Sequence, residues 1–319
     1  MFHRVSMSSL AVLLAVLGAA PDALPQDANI TMPVDTIERL LRFEEYEILS
    51  CRDTRFEADR TQLATLMFPG ERMMRVKWAR AEKGADTFNN RPRFELAAYE
   101  IQKLFLDEED YVVPPTVSRG TSPETCPTAG IQVGATFNRS SDVLVLMSYW
   151  LSYVTPNNVY DTDRFDSDSA YARHLGDFNI LTHLIRHADM NPGNFLVSTD
   201  SANPRVFAVD NGVAFGEQSD RGDAWRDIRV DRLPQETVDR LRDVGQEDLE
   251  RALGVIVQYE VREGRLVDVG PTENLDRRKG VRQKDDIIQL GLTAGEINAI
   301  YGRLERLLRR VDSGEIETF

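Results

Sequence analysis

The chain lacks the basic patches that nucleic-acid-binding proteins normally carry. Lysine and arginine number 38 against 52 acidic residues, which gives a formal net charge of −14, and they form no long block. Because contacts to phosphates dominate protein–nucleic acid affinity, such a partner usually requires a cluster of basic residues. The composition therefore disfavours nucleic acid as a partner. The main effect of the negative net charge is on solubility.

Long apolar runs are also scarce. The clearest is Leu10–Ala20, which follows Arg4 and precedes small residues. It is short for a bilayer span and typical of a secretory signal peptide. We predict a signal peptide at residues 1–23, export to the periplasm or the medium, and no stable membrane insertion after the leader is removed. The alternatives are a start-site artefact or a frayed apolar N-terminus.

Cysteine is limited to Cys51 and Cys126. In an exported protein this even count permits a disulfide that closes a long loop. Two unpaired, buried thiols are the alternative. The sequence does not say whether the two residues lie within bonding distance, although export favours the bridge.

The chain does contain enough apolar residues for a large core. Its 319 residues are 42% hydrophobic and 28% charged, as in a soluble globular protein of one large domain or two lobes. The spacing predicts a helix over 33–49 and a strand, a Pro-Gly turn and a second strand over 61–81. In the second strand Lys77 lies on the face opposite Trp78.

Further elements follow in a definite order. An amphipathic helix is predicted at 91–106, with Glu95 near its start, and an apolar strand at 142–154. Beyond it we predict a surface loop (157–169), a helix (175–187), and a mainly helical pattern from about residue 231, ending in helix 293–311 with a capping box of Thr293 and Glu296. This order predicts two lobes, an N-lobe with an N-terminal helix at 30–154 and a C-lobe at 155–319, with the chemistry near their junction.

Five polar residues are candidates for one phosphate-handling site. Phosphoryl transfer needs a cation on the phosphates, an acid that fixes this cation, metal ligands, and a carboxylate that orients the attacking hydroxyl. Lys77 is the candidate phosphate clamp and Glu95 its partner. In "HADMNPGN" (187–194), Asp189 is the candidate catalytic base and Asn194 a metal ligand. Asp210, in "VFAVDNG", would bind Mg²⁺ or Mn²⁺ through hard oxygens, and the three loop residues are expected to converge on one cleft.

Each residue also has an ordinary structural interpretation. "VDNGVAF" fits a hairpin turn, while Asp189 and Asn194 fit a cap and a turn. Lys77 could belong to a solvated strand face and Glu95 could be a first-turn helix charge. Their order favours the functional interpretation, because Lys, helical Glu, D-x-x-x-x-N and strand-D-x-G is the order of parts in kinases.

Two segments resemble the secretory-pathway atypical protein kinases, the Golgi casein kinase-like family within the protein-kinase-like superfamily. They are "NRPRFELAAYEIQKLFLDEEDYVVPPTV" and "VFAVDNGVAFG", the latter similar to the family's D-N-G-R-G-F-G motif, and the resemblance covers roughly residues 74–216. It implies a kinase that works outside the cytoplasm. The catalytic loop differs from the family's D-R-H-H-Y-E and is closer to the loops of ordinary and phosphoinositide-type kinases, so the role of Asp189 rests on spacing alone.

The sequence thus predicts an α+β, bilobal protein-kinase-like fold, with a small β-rich N-lobe containing one key helix and a larger, mainly helical C-lobe. The predicted function is an exported atypical kinase that transfers the γ-phosphoryl group of ATP, with Mg²⁺ or Mn²⁺, to a hydroxyl of a protein Ser or Thr, a sugar or a small molecule. Two alternatives stay open: a nucleotide-binding pseudokinase or scaffold without turnover, and a nucleotidyl transferase on the same fold.

Overall fold

The computed structural model describes residues 28–54, 61–87, 91–127, 134–189, 191–216 and 225–319. The predicted signal peptide lies outside these ranges. The helices are α1 (Val34–Phe43), α2 (Pro92–Gln102), α3 (Thr162–Ser167), α4 (Ser169–Leu184), α5 (Gln235–Arg242), α6 (Gln246–Leu253) and α7 (Ala294–Asp312). None of the helices in the described ranges is long and apolar enough to cross a bilayer.

Antiparallel strands form the sheet of the small lobe. Its strands are β1 (Glu47–Asp53), β2 (Thr61–Phe68), β3 (Arg72–Arg80), β4 (Thr116–Thr121) and β5 (Val143–Tyr149), in the order β1-β2-β3-β5-β4. The predicted strand–turn–strand is confirmed, with Gly70 at φ 79° in the turn. Val76 and Trp78 are fully buried on one face, where they pack with Leu40 of α1.

The helix predicted over 33–49 is shorter than expected. α1 ends at Phe43, and the chain then turns into β1, which pairs with β2. Pairing with a neighbouring strand is a tertiary contact that overrides the helical spacing of the short segment. In β1, Cys51 forms a disulfide with Cys126, and their Cα atoms lie 5.7 Å apart, a usual separation. The bridge, rather than two free thiols, is therefore present.

α2 and the segments beyond β5 partly follow the expected pattern. α2 covers most of the predicted helix at 91–106, although it ends at Gln102. The surface loop predicted at 157–169 is wrong in part, because it contains α3, which is capped by Asp161 and buries Phe165. α4 also begins earlier than predicted, directly after its cap at Asp168.

Strands were missed in the C-terminal part of the chain. The expectation of a mainly helical pattern from residue 231 is wrong for β10 (Val257–Arg262), β11 (Arg265–Val269), β12 (Val281–Lys284) and β13 (Ile287–Leu290), which form one antiparallel sheet. Glu263 and Gly264 both have positive φ, as the two-residue turn between β10 and β11 requires. This short turn was the overlooked signal.

The C-terminal sheet packs against the small lobe. Its Tyr259, Ile288 and Leu290 share a core with Leu96 of α2 and Leu146 of β5. After β5 and the large-lobe elements, the chain therefore returns to pack against α2. It then forms α7, whose predicted capping box of Thr293 and Glu296 is confirmed.

Short strands and helices make up the large lobe. β6 (Val154–Thr155), β7 (Phe195–Ser198) and β8 (Val206–Ala208) form a small sheet, while β9 (Arg232–Leu233) pairs with β14 (Glu317–Thr318). The largest buried cluster includes residues of α4, α5, α6 and α7. The α+β, bilobal kinase-like fold predicted from the sequence is confirmed.

Candidate active site

Lys77 lies at the centre of a three-residue ion cluster. Strand alternation directs its side chain away from the buried Trp78 face, and Nζ lies 2.7 Å from Glu95 Oε1 and 2.8 Å from Asp210 Oδ1. The predicted contact between Lys77 and Glu95 is confirmed. Burial acts to lower the pKa of Lys77, but the charges of Asp210 and Glu95 outweigh it and raise that pKa, so the ammonium stays charged at neutral pH.

Both oxygens of Glu95 are engaged. Oε1 accepts from Lys77, and Oε2 accepts the backbone N–H of Asn211 at 2.9 Å. Glu95 is 5% exposed although it lies in the first turn of α2, so it is not simply a surface charge near a helix start. Burial raises the pKa of its carboxyl group, and the Lys77 charge opposes that rise.

Asp210 follows strand β8 in a left-handed backbone conformation. Its φ is 59°, a region in which Asp is found more often than most residues. In the described part of the chain β8 pairs with β7 alone, so "DNG" does not join two paired strands and the hairpin-turn alternative is wrong. The side chain is 48% exposed, and the positive charge of Lys77 lowers the pKa of its carboxyl group.

Asn194 and Asp189 belong to the preceding loop. Asn194 ends a 3-10 turn (Pro192–Asn194) and is 4% exposed. Its backbone carbonyl oxygen accepts the Val209 N–H at 2.8 Å. Its Nδ2 is buried and has no partner among the described residues. The Asp189 carboxylate accepts the N–H of Asn191 at 2.9 Å. The two loops are thus joined by a backbone hydrogen bond.

The fully buried His187 lies two residues before Asp189 in the first of these loops. Burial lowers the pKa of His187 to about 4, while the charges of Asp189 and Asp210 both act to raise it. Its ring packs against Phe195, with 4.9 Å between ring centroids. His187 is therefore neutral at neutral pH.

A cavity of about 890 Å³ lies between the small-lobe sheet and these loops, within the usual size range of small-molecule sites. Lys77, Glu95, Asn194 and Asp210 line it. The expected convergence thus holds for Asn194 and Asp210. Asp189 does not line the cavity itself; it lies two residues before Asn191, which does.

The residues around Asp210 suit a divalent cation that also binds phosphate. The described residues contain no group of three or more His, Cys, Asp or Glu side chains that could hold a metal alone. Mg²⁺, however, usually takes one or two carboxylates and completes its shell with water and substrate phosphates. The half-exposed carboxylate of Asp210 and the amide of Asn194, both in the cavity wall, fit that requirement.

Sequence reasoning missed three cavity residues. Arg75 lies on the same face of β3 as Lys77 and donates to Ser152 Oγ at 3.1 Å. Asn191 accepts the Gly193 N–H through Oδ1, and Asn211 is fully buried, with both amide atoms unpartnered among the described residues. The period of two along β3, which selected Lys77, also indicates Arg75. The positions of the two asparagines carry no comparable signal.

Comparison with known proteins supports the fold. No family model matches the chain, and no curated protein matches it. The solved structure described as hydra Fam20 with sugar aligns with 92% of this chain and 93% of its own, at 14% sequence identity and a TM-score of 0.55. The chain therefore shares the overall fold of that structure. At this identity the likeness concerns the fold alone.

Proposed function

We propose that the protein is an exported, ATP-dependent phosphotransferase that uses Mg²⁺ or Mn²⁺. The observation that carries the proposal is the cluster of Lys77 between Glu95 and Asp210 in the wall of a nucleotide-sized cavity. These are the cation, the acid that fixes it and the metal-binding acid that phosphoryl transfer requires. The acceptor is a hydroxyl of a protein, a sugar or a small molecule.

The charges of the cluster define what each residue contributes. One ammonium and two carboxylates leave a net negative charge, so the cluster by itself repels a triphosphate. A divalent cation held by Asp210 and Asn194 would supply the missing positive charge at the phosphates. Lys77 would then bind phosphate oxygens, and Glu95 would keep the ammonium in place. In this scheme the N-lobe is residues 30–154 and the C-lobe residues 155–319.

Asp189 is the proposed base. The acceptor oxygen attacks the γ-phosphorus, the bond from that phosphorus to the bridging oxygen breaks, and ADP leaves. The proton of the hydroxyl passes to the Asp189 carboxylate. Asp189 lies outside the cavity wall but next to its rim at Asn191, where an acceptor would approach.

Export is supported by two independent features. The N-terminal apolar run is typical of a signal peptide. The disulfide between Cys51 and Cys126 is a bond that persists mainly in oxidising compartments. N-terminal sequencing of protein from the native host tests this part: we expect a start near residues 20–28, and an intact Met1 on cytosolic material would contradict export.

The activity is tested with γ-labelled ATP in Mg²⁺ or Mn²⁺, using wild type and Asp210→Ala and a panel of protein, sugar and small-molecule acceptors. We expect label transfer by the wild type and none by the variant. Equal transfer by both proteins would show that Asp210 has been assigned wrongly. A parallel reaction with α-labelled ATP tests nucleotidyl transfer, since that reaction attaches the α-label to the acceptor.

A nucleotide-binding protein without turnover is the second candidate. It is favoured by one observation: the Asp189 carboxylate does not line the cavity and already accepts the Asn191 N–H. Metal-dependent ATP binding without transfer of either label to any acceptor would support this candidate. Absence of ATP binding would contradict both candidates.

A further inference from the structure

The helix that carries Glu95 is attached to the C-terminal part of the chain. Arg93, two residues before Glu95 in the first turn of α2, is buried, with only 6% of its side chain exposed. Its Nε donates to Asp86 Oδ1 at 2.9 Å, and its Nη1 donates to Glu296 Oε2 at 2.7 Å. Its guanidinium also lies 4.1 Å from the centroid of the Phe94 ring. One side chain therefore connects α2 to the start of α7.

Glu296 is itself held rigidly. It is the third residue of α7, and the same Oε2 that accepts from Arg93 accepts the N–H of Thr293 at 2.8 Å in the capping box. The capping hydrogen bond thus fixes the Glu296 carboxylate at the start of α7. Arg93 is consequently anchored to the backbone of a 19-residue helix.

The chain makes room for this contact at Gly280. A Cβ atom on residue 280 would lie 2.3 Å from Arg93 Nε, closer than two non-bonded atoms approach. Gly280 is in turn fixed by the Gly291 N–H, which donates to its carbonyl oxygen at 3.0 Å. Next to Glu95, Leu96 packs into the core of the C-terminal sheet. Gly280, the C-terminal sheet and Glu296 therefore all pack against the first turn of α2.

We propose that Arg93 is a positioning residue of the active site: its ion pairs with Glu296 and Asp86 fix the first turn of α2 and so hold Glu95 on Lys77 and on the Asn211 N–H. The effect on catalysis rests on the function proposed above; the positioning itself does not. The contacts of Glu95 are short hydrogen bonds, 2.7 and 2.9 Å long, so a displacement of the helix by an ångström would break them.

The charges make this anchor sensitive to loss of the arginine. Arg93→Met leaves Glu296, whose side chain is 18% exposed, without its cation, and it removes the link to Asp86 as well. Arg93→Lys keeps the charge, but a single ammonium lacks the planar fork with which arginine reaches two carboxylates from one position. We expect a graded series in which the lysine variant lies between wild type and the methionine variant.

Arg91 provides a matched control. It precedes α2, lies 3.5 Å from the same Asp86 carboxylate and stacks on the same Phe94 ring, but it forms no ion pair with Glu296 in the described chain. Arg91→Met therefore removes a neighbouring charge while leaving the connection to α7 intact.

The first experiment does not depend on catalysis. Lys77 is labelled in the folded protein with an amine-acylating reagent, its labelling rate is measured by mass spectrometry, and exchange of the Asn211 amide hydrogen is followed in the same samples. We expect faster labelling and faster exchange, by about tenfold or more, in Arg93→Met and Glu296→Gln, and wild-type rates in Arg91→Met. The double variant should be no worse than Arg93→Met alone, because both changes break one contact.

The second experiment measures phosphate transfer. Loss of positioning should lower kcat by up to about 100-fold, the usual consequence of misplacing a catalytic group by an ångström, with a smaller change in KM for ATP. Wild-type labelling and exchange rates in folded Arg93→Met would overturn the proposal, as would equal effects in Arg91→Met. Where Arg93→Met fails to fold, Gly280→Ala, which displaces the same guanidinium, is read in its place. If the wild type transfers no phosphate, the labelling and exchange results still decide the positioning role.

Discussion

Individual residues of the candidate site differ in what they contact, and this difference predicts different effects of substitution. Asp210 contacts Lys77 directly and faces the cavity. Asp189 lies beside the cavity, and its carboxylate accepts a hydrogen bond from the backbone N–H of Asn191. A group that holds the metal and the phosphates acts on the bound nucleotide before any reaction. A base acts mainly on the acceptor in the transition state.

Substitutions of the two aspartates should therefore separate binding from turnover. We expect Asp210→Ala to lose both metal-dependent ATP binding and phosphate transfer. We expect Asp189→Ala to lose transfer and keep most of the ATP affinity, because the base makes few contacts with ATP in the ground state. Titration calorimetry with MgATP and MnATP, beside the labelled-ATP assay, measures both quantities. Wild-type behaviour of Asp210→Ala would mean that it is no metal ligand.

Arg75 should contribute to binding of the adenine ring of ATP rather than its phosphates. It precedes Lys77 by two residues on the same face of β3, which separates the two by about 7 Å along the strand. A guanidinium fixed by Ser152 can stack on a planar nucleobase such as adenine. We expect Arg75→Ala to weaken ATP binding roughly tenfold and to leave the affinity for inorganic tripolyphosphate unchanged. Equal weakening for both ligands would instead make Arg75 a phosphate contact.

At the scale of elements, the disulfide joins the edge strand β1 to the segment that follows β4. The two cysteines are 75 residues apart in sequence, and both pack with the core beneath the small-lobe sheet. Closing a loop of this length removes conformations from the unfolded chain, which stabilises the folded state.

Loss of this bridge should lower the free energy of unfolding by about 2–4 kcal/mol. We expect this change for the double variant Cys51→Ala with Cys126→Ala, measured by urea unfolding. Reduced wild-type protein is the control, because it keeps both sulfur atoms in the core and lacks only the bond. If reduction leaves the unfolding midpoint unchanged, the disulfide does not stabilise the fold.

At the scale of the whole molecule, one buried acid should make stability depend on pH. Asp177 of α4 is 1% exposed and accepts a hydrogen bond from Thr237 Oγ1 of α5 at 2.6 Å. Burial raises the pKa of Asp177 to about 7. Between about pH 4, where an unfolded aspartate ionises, and pH 7, the folded state therefore holds an additional proton. Its contribution to stability is complete below this window and is lost as pH rises through it.

The variant Asp177→Asn should not show this loss, because an amide does not ionise and still offers an oxygen to Thr237. We expect the difference in unfolding free energy between variant and wild type to grow by up to about 1.4 kcal/mol per pH unit from pH 5 to pH 7, and to level off above. Urea unfolding of both proteins at pH 5, 6, 7 and 8 measures it. Other titrating groups, such as His174, are common to both proteins and cancel in the difference. Parallel pH profiles would show that Asp177 ionises normally.

Local patterns in the amino-acid sequence are enough to predict most of the elements near the site and the order of the site residues. The period of two along β3 separated Lys77 from Trp78, the amphipathic helix carried Glu95, and Thr293 with Glu296 marked the start of α7. Local signals of this kind survive because they arise within a few residues. The kinase-like order of Lys, Glu, D-x-x-x-x-N and D-x-G likewise predicted the fold without any knowledge of contacts.

Which of these residues meet depends on long-range packing in the folded chain. Lys77 and Asp210 are 133 positions apart, and Arg93 and Glu296 are 203 apart, so no local pattern links them. The C-terminal sheet is not evident from the sequence because its strands are four to six residues long, too short for a clear period. The helix predicted from residue 33 extends too far because residues 47 and 48 pair with β2 instead of continuing the helical spacing. Contacts between distant segments depend on how whole faces pack, and that information exists only once the chain has folded.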